Sequence, residues 1–345
     1  MEEKAISQAI KAIARHEELS VSFLERSFTE ILTGQSAPEH IAAFLMGLAV
    51  RGETSAELLA GARVMRENAR TIELDGDVLD TCGTGGLGWT SLNTSTASAL
   101  VIAACGGKVA KHGNRSVPPK TGSADVLEAL GVELEPDEQT FRACLDEAGV
   151  GFLFARSHHS AMRFVAPIRA SLGIRTVFNM LGPLSNPASA THQILGVFDD
   201  QWLRPMAETL RDLGVKRAWV VHGVHDGDRA IDELSIAGET KVIEVERGQL
   251  REFSLYPKDV GLSASPLSSL QGGTPEYNAE QIRDLLSGVA GPFRDAVALN
   301  AGAGLHLLDL ASSLEEGMSQ ALACIDDGRA KACLETLVRV SGGQS

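Results

Sequence analysis

A long stretch of the chain has no acidic residues and holds several basic ones. No Asp or Glu occurs among the 44 residues 81–124, where the chain average of 45 acidic residues in 345 would place about six. The same stretch contains Lys108, Lys111, Arg115 and Lys120. It therefore carries a charge of +4 in a chain whose net charge is −14, and a locally basic segment of this kind favours an anionic ligand.

Glycine-rich turns and hydroxyl side chains in this stretch indicate that the anion is a phosphate. Residues 83–88 follow a short apolar run at 78–79, and Gly106-Gly107 precede another. Glycines let backbone N–H groups approach an anion closely, and a following helix N-terminus adds partial positive charge. For the loop alone, a tight turn followed by helix caps is an equally good interpretation. The acid-free, basic surroundings favour binding. Hydroxyls that could complete the site are Ser91, Thr94, Ser95 and Thr96.

Two common nucleotide motifs are excluded. Gly83, Gly85 and Gly88 formally match the dinucleotide pattern G-x-G-x-x-G. That pattern needs an acidic residue about 20 positions further on to hold the ribose hydroxyls, and none occurs before Asp125. No G-x-x-x-x-G-K-[ST] sequence occurs either. We therefore expect neither a Rossmann cofactor site nor a P-loop.

Two other groups of residues could act on such a ligand. The adjacent carboxylates Asp232-Glu233 could hold Mg²⁺ that bridges to phosphates, although a solvated acidic turn is the commoner meaning of such a pair. A cluster of histidines and arginines could offer a planar fork to a carboxylate, or it could be an ordinary helix surface. We exclude zinc there because no third ligand stands at metal spacing. The cluster consists of His158, His159, Arg163, Arg169 and Arg175.

Helices and short strands must position these groups. Residues 2–69 have a helical pattern only, with one helix ending near Gly52 and another beginning at 53–55. After Thr71, short apolar strands alternate with helices, which predicts an α/β domain with a mainly parallel sheet covered on both faces. Predicted strands are 78–79, 108–111, 151–155 and 218–221, with a hairpin at 242–253. Predicted helices lie at 93–105, 123–130, 140–148 and 201–213, and from 278 to the end.

Composition limits the class of protein. With 44% apolar and 22% charged residues the chain is not disordered, and its acidity argues against nucleic-acid or membrane binding. Without a signal-like start or a long apolar run, we expect a soluble cytoplasmic protein. The cysteines lack C-x-x-C spacing and are predicted to be reduced core residues. They are Cys82, Cys105, Cys144, Cys324 and Cys333.

The motifs, taken in order, resemble those of the anthranilate phosphoribosyltransferase family. The resemblance extends from residues 42–46 and 51–54 to Asp232-Glu233, so it spans nearly the whole chain. The segments that carry it are 80–86, 93–98, 111–115, 122–128, 158–159, Arg169, 172–176 and 178–184.

The resemblance implies a reaction and an architecture. The amine of anthranilate would displace pyrophosphate from 5-phosphoribosyl 1-pyrophosphate, with Mg²⁺ as cofactor, in tryptophan biosynthesis. A small helical domain, residues 1–71 completed by about 163–190, would be joined by hinges to a larger α/β domain, residues 72–345, similar to nucleoside phosphorylases and phosphoribosyltransferases. A homodimer is implied, and no nucleic acid or membrane is expected as a partner.

The resemblance also implies roles for individual residues. Anthranilate would be bound by Gly83, Asn114 and Arg169, with Arg169 pairing to its carboxylate and His112 forming a wall of the acceptor site. Mg²⁺ would be held by Ser95, Asp232 and Glu233. Catalysis would be electrostatic and positional, with His112 as the one candidate for a catalytic side chain. Phosphoribosyl pyrophosphate would be held by Gly83, Asn93, Ser95, Thr96, Lys111 and Ser123. Further substrate-binding positions implied are Gly86, Leu87, Ser91, Thr94, Gly113 and Arg115.

The chain departs from the family pattern at a few positions, and two other functions compete. Leu87 replaces a usually acidic residue, Trp89 stands among normally small or polar ones, and Arg156 and Ser160 replace an uncharged residue and a proline. A pyrimidine nucleoside phosphorylase-like enzyme is disfavoured because phosphorolysis has no pyrophosphate for a metal to bind. A catalytically silent nucleic-acid-binding relative is disfavoured by the net charge of −14 and by only sixteen aromatic residues.

Overall fold

Four helices come first and pack against one another in the computed structural model, which describes residues 3–116, 121–223 and 230–343. The boundary at 52–55 is as predicted: Gly52, at φ +87°, ends the third helix. The fourth begins with a capping box in which Thr54 and Glu57 each accept the other's backbone N–H. The four are α1 (Ala5–Ala14), α2 (Val21–Leu32), α3 (Pro38–Arg51) and α4 (Ser55–Glu67).

A seven-stranded sheet forms the centre of the rest of the chain. Its order is β3-β2-β1-β4-β5-β6-β7; the first five strands are mutually parallel, and the last two add an antiparallel hairpin. The prediction of a mainly parallel sheet is confirmed, but the central strand β4 was not predicted. The strands are β1 (Leu79–Gly83), β2 (Val109–Gly113), β3 (Val150–Phe154), β4 (His192–Gly196), β5 (Arg217–Gly223), β6 (Thr240–Glu246) and β7 (Gln249–Leu255).

Helices cover both faces of this sheet. The predicted helices at 93–105, 123–130, 140–148 and 201–213 correspond to α5, α6, α7 and α11, with ends that differ by at most two residues. The described helices after α4 are α5 (Thr94–Ala104), α6 (Ser123–Ala129), α7 (Glu138–Glu147), α8 (Ala155–His158), α9 (Ala166–Leu172), α10 (Phe178–Leu184), α11 (Leu203–Asp212), α12 (Pro275–Leu286), α13 (Pro292–Leu307), α14 (Leu314–Asp326) and α15 (Arg329–Ser341). None of them is long and apolar enough to cross a bilayer.

The first four helices share one apolar core with the segment 161–184. Phe28 of α2 lies edge-on to Phe44 of α3, with ring centroids 5.4 Å apart, and to Phe178 of α10 at 6.2 Å. Leu181 and Val165 are fully buried in the same core. Each such side chain stabilises the fold by roughly 1.5–3 kcal/mol, so α9 and α10 pack with helices that precede them by more than a hundred residues.

The strand order determines where a ligand can bind. From β1 the chain turns to β2 and β3 on one side of it, and later to β4 and β5 on the other. Between β1 and β4 the connections leave in opposite directions, which opens a crevice at the carboxyl ends of the strands. The glycine-rich residues 83–88 begin at this crevice, at the last residue of β1.

Candidate active site

A cleft of about 310 Å³ opens at the carboxyl ends of β1 and β2. It gathers every residue implied by the resemblance except Thr94 and Arg169, although those residues lie up to 150 positions apart in sequence. Carboxyl ends of parallel strands share one edge of the sheet, which brings the loops together. The gathered residues are Gly83, Gly86, Leu87, Ser91, Asn93, Ser95, Thr96, Lys111, His112, Gly113, Asn114, Arg115, Ser123, Asp232 and Glu233.

The acidic pair reaches the cleft because two strands end in glycine. A Cβ atom at Gly196, the end of β4, would lie 1.5 Å from the backbone oxygen of Asp232, and one at Gly83 would lie 2.1 Å from Asp232 Oδ2. Only glycine permits this approach. Asp232 is 9% exposed, so the interpretation of the pair as a solvated acidic turn is wrong.

The two carboxylates accept backbone hydrogen bonds from the opposite wall. The N–H of Gly85 donates to Asp232 Oδ2 at 2.8 Å, and the N–H of Ser95 donates to Glu233 Oε1 at 3.1 Å. Burial raises the pKa of both, and with the added repulsion of Asp232 the pKa of Glu233 rises to about 8. Glu233 Oε2 is buried without a hydrogen-bond partner among the described residues. An orphaned carboxylate oxygen beside a second carboxylate suits a cation.

Helix α5 directs its N-terminus into the cleft. Its N-cap residue, Asn93, makes no side-chain cap bond; its amide donates to the Thr121 carbonyl and accepts from Asn278. The helix end therefore keeps partial positive charge toward the cleft. Consecutive helical residues are rotated by about 100°. Accordingly Ser95 lines the cleft, while the fully buried side chain of Thr94 lies behind it, next to Glu233.

The side of the cleft that carries Lys111 and Arg115 is less positive than the sequence predicted. Lys111 is buried, and its Nζ donates to the carbonyl of Thr81 at 2.5 Å and to Ser95 Oγ at 3.3 Å; burial lowers its pKa. Arg115 pairs with Glu128 at 2.7 Å and with Asp125 at 3.1 Å. Lys108 does not line the cleft, and Lys120 lies outside the described residues. The cleft therefore does not have the full charge of +4 that the basic residues of this stretch predicted.

Two histidines form an uncharged pair at one side of the cleft. His112 Nε2 and His159 Nε2 are 3.2 Å apart, so one ring donates and the other accepts. Burial lowers the pKa of His112 well below its usual value and that of His159 to about 4. His158 instead directs Nδ1 to the carbonyl of Arg70 at 2.7 Å. The adjacent residues His158 and His159 thus point to different partners, and it is His159 that contacts His112.

The arginine cluster separates as well. Arg169 of α9 does not line the cleft; its Nη2 donates to Asn179 Oδ1 at 3.2 Å, and its Nε is buried without a partner among the described residues. Arg163 lies over the Phe164 ring at 4.5 Å. The single carboxylate-binding fork considered for Arg163, Arg169 and Arg175 is therefore not assembled.

Two contacts that hold the glycine-rich loop of the cleft were not predicted from sequence. Arg175 donates to the Gly85 carbonyl at 3.0 Å and stacks on Phe198 at 3.4 Å. A Cβ at Gly86 would lie 0.9 Å from its Nη2. Trp89 donates its indole N–H to the Ala230 carbonyl at 3.0 Å. These contacts attach the glycine-rich loop to distant segments.

The cysteine prediction holds only in part. All five cysteines are free, and Cys144, Cys324 and Cys333 are buried. Cys105 is only half-buried, and Cys82 lines the cleft. These two are partly buried and pack at the edges of the apolar cores, because both stand at or near the end of an element rather than inside it.

Comparisons with known proteins agree along the whole chain. Residues 75–331 match the glycosyl transferase family, a/b domain, and residues 7–69 match its helical bundle domain. The anthranilate phosphoribosyltransferase of Hyphomonas neptunium is 60% identical over 99% of both chains. The crystal structure of that from Thermus thermophilus shares 45% identity and a TM-score of 0.90, covering 99% of this chain and 100% of its own. The Saccharomyces cerevisiae enzyme in complex with PRPP and Mg shares 25% identity and a TM-score of 0.87 over 99% of both.

Proposed function

The chain belongs to the anthranilate phosphoribosyltransferase family, and from this membership we propose the reaction that it catalyses. The 5-phosphoribosyl group of 5-phosphoribosyl 1-pyrophosphate passes to the amine of anthranilate, giving N-(5-phosphoribosyl)anthranilate and pyrophosphate, in tryptophan biosynthesis. The observation that carries this proposal is the cleft in which a glycine-rich loop and the α5 N-terminus face a buried acidic pair.

Backbone groups and one lysine bind the phosphates in this proposal. The loop at 83–86, the N-terminus of α5 and Lys111 provide donors, and Ser123 and Asn93 add polar side chains at the rim. The fold fixes the direction of these N–H groups, but those of Gly85 and Ser95 already donate to Asp232 and Glu233, so the phosphates must displace these two bonds. Phosphate binding therefore depends on backbone geometry more than on exposed charge.

The acidic pair and Ser95 fit Mg²⁺. Glu233 supplies an oxygen that has no hydrogen-bond partner in the described part of the chain, and among the described residues no three His, Cys, Asp or Glu side chains cluster. Few protein ligands, completed by phosphate oxygens and water, are typical of Mg²⁺ rather than zinc. The bound ion would supply neutralisation of charge on the departing pyrophosphate. The yeast relative described with PRPP and Mg supports this assignment.

The reaction asks for positioning and charge stabilisation. The bond from the anomeric carbon to the pyrophosphate oxygen breaks, the bond to the amine nitrogen forms, and the nitrogen gives up a proton. An aromatic amine is a weak nucleophile, so holding it next to the anomeric carbon supplies much of the rate. His112, kept neutral by burial that lowers its pKa, forms an uncharged wall for the aromatic ring.

Arg169 and Asn114 bind anthranilate in this proposal. The Arg169 guanidinium makes one hydrogen bond to Asn179 and has a buried Nε with no partner among the described residues, so it retains donors for a carboxylate. Asn114 lines the cleft beside His112. Since Arg169 lies outside the cleft, the acceptor site is completed when the segment that carries it approaches.

The proposal extends to organisation and location. Residues 1–71 with about 163–190 form the smaller domain and residues 72–345 the larger; the edge-on packing of Phe28 on Phe178 supports placing 163–190 with the smaller domain. The enzyme works as a homodimer in the cytoplasm. Gel filtration with light scattering tests whether the protein is a dimer, since a monomer at micromolar concentration would contradict that proposal.

The reaction is tested by mixing protein, Mg²⁺, phosphoribosyl pyrophosphate and anthranilate and following the loss of anthranilate fluorescence. We expect loss that depends on all four components and stops when EDTA is added. Absence of turnover at every Mg²⁺ concentration would overturn the proposal. Phosphorolysis of uridine or thymidine would instead support the phosphorylase-like alternative, and a salt-sensitive gel shift with single-stranded DNA would support nucleic-acid binding.

A further inference from the structure

The acidic pair lies in an irregular loop between β5 and β6, and its neighbour Leu234 is fixed by one side chain. Asn300 of α13 accepts the Leu234 N–H through Oδ1 at 3.0 Å and donates from Nδ2 to the Leu234 carbonyl at 3.0 Å. A third bond, from Nδ2 to the carbonyl of Ala296 at 2.9 Å, fixes the orientation of the amide itself. Both donors of the amide are therefore used.

These bonds act directly on Glu233. The N–H of Leu234 belongs to the peptide that begins at the Cα of Glu233, so holding its plane restricts the direction in which the Glu233 side chain leaves the backbone. Two adjacent buried carboxylates repel each other. Before the pair, Ile231 is held by two backbone hydrogen bonds to Gly223; after it, the bonds from Leu234 to Asn300 hold the backbone against that repulsion.

Asn300 is itself held on a rigid support. It is 4% exposed, and twelve of the sixteen residues of α13 are buried. Two glycines let α13 approach α14 closely: a Cβ at Gly302 would lie 2.5 Å from the Met318 nitrogen, and one at Gly317 would lie 2.4 Å from the Gly302 oxygen. Asn300 and Glu233 also line the same small space of about 10 Å³, which is room for about one water.

We propose that Asn300 is a positioning residue for the Asp232-Glu233 pair, which holds the two carboxylates in the arrangement that receives the divalent cation. This inference rests on the proposed function, because it deepens the role given there to the same pair. Asn300 touches neither substrate nor metal; it acts through the backbone of Leu234. Losing such an outer partner typically lowers metal affinity by about 10–100-fold.

The test compares pyrophosphate binding with and without metal by titration calorimetry. In the wild-type protein, we expect excess Mg²⁺ to strengthen the binding of inorganic pyrophosphate by a measurable factor. We expect Asn300→Ser to reduce that factor about tenfold, to leave the affinity measured in EDTA within twofold, and to leave the KM for anthranilate unchanged. A serine hydroxyl retains a bond to the Ala296 carbonyl and leaves space for water, which favours folding.

A matched control separates positioning from stability. Thr209→Val removes a buried side-chain hydroxyl elsewhere in the protein. Its bond to the Pro205 carbonyl, at 2.8 Å, lies in α11, away from the acidic loop. It should lower the melting temperature while preserving the full Mg²⁺ enhancement. Folded Asn300→Ser with the wild-type enhancement would overturn the inference.

The other outcomes are also informative. If Mg²⁺ does not strengthen pyrophosphate binding in the wild-type protein, both the metal role and the Asn300 role fall. If it does, but no anthranilate is consumed, only the proposed reaction falls. Should Asn300→Ser not fold, hydrogen exchange on the wild-type protein decides: the inference requires the Leu234 amide to exchange only on global unfolding, and fast local exchange contradicts it.

Discussion

The phosphate wall and the acceptor wall of the site are held in different ways. Three long-range contacts fix the glycine-rich loop: Asp232 and Arg175 both bond Gly85, and Trp89 bonds Ala230. Arg169, proposed to bind the acceptor, donates a hydrogen bond to Asn179 within its own segment and does not line the cleft. In the proposed function, the phosphate loop is therefore held by contacts from several distant segments, one of them from Arg175, whereas the acceptor residue Arg169 is held within its own segment.

The largest effect should come from disturbing the loop that carries the acidic pair at its tightest backbone contact. Gly196→Ala places a Cβ 1.5 Å from the Asp232 backbone oxygen, so the acidic loop must move. We expect kcat/KM for phosphoribosyl pyrophosphate to fall at least about 100-fold, or about 2.7 kcal/mol. Gly88→Ala, where the Cβ meets nothing within 4 Å, should change it little. Similar rates for the two variants would show that the loop tolerates displacement.

Removing the charge of the acidic pair should have the next largest effect. With Asp232→Asn and Glu233→Gln combined, we expect the Mg²⁺ concentration for half-maximal rate to rise about 10–100-fold. The matched control replaces another adjacent pair, Asp326 and Asp327, by asparagine; these pair with Arg294 and Arg329. An unchanged metal titration in the first variant would remove the pair from the metal site.

The acceptor wall should respond selectively and more weakly. Arg169→Ala removes a charged donor, so we expect the KM for anthranilate to rise roughly 20-fold, about 1.8 kcal/mol, while the KM for phosphoribosyl pyrophosphate stays within twofold. Arg163→Ala, which removes an arginine that lies over Phe164, is the control. If Arg169→Ala raises both KM values equally, the two walls are not independent.

The smallest effect concerns the buried histidine pair and acts on stability. The pKa of His159 is about 4 in the fold against about 6.5 when unfolded, so the unfolded chain binds the extra proton. Stability should therefore fall as pH drops from 6.5 toward 4, by about 1.4 kcal/mol at pH 5.5 relative to pH 8. Urea unfolding of His159→Gln should show a flatter pH profile, whereas His40→Gln, at an exposed position, should keep the wild-type slope.

The sequence predicted the residues of the cleft better than its electrostatics. Strand ends and glycine-rich turns are local signals, and parallel topology then brings them to one edge. The acid-free stretch is bounded by Asp80 and Asp125, and both fold back onto it. Asp80 accepts the N–H of His112 at 3.1 Å, and Asp125 pairs with Arg115. A stretch of sequence without acidic residues can therefore still have acidic side chains beside it in the fold.

Two features escaped prediction because their partners are distant. Strand β4 has only five residues, all buried, so it lacks the alternation that identifies a strand. Its Gln193 is satisfied by the carbonyl of Pro183 at 2.7 Å, a tertiary contact. Arg175 was noticed as a cation, but its bond to Gly85 joins residues 90 positions apart. The division into two domains and the residue roles remain predictions.

The order of the strands also governs when the site can first exist. The glycine-rich loop and α5 precede the acidic pair by about 140 residues. The pair itself follows β5, and β5 must pair with β4 before the acidic loop can pack against Gly196. A chain that is synthesised only as far as β4 contains the glycine-rich loop but not yet the carboxylates of Asp232 and Glu233. Contacts of such separation are slow to form, so ligand binding should appear late in refolding, close in time to the completion of the sheet.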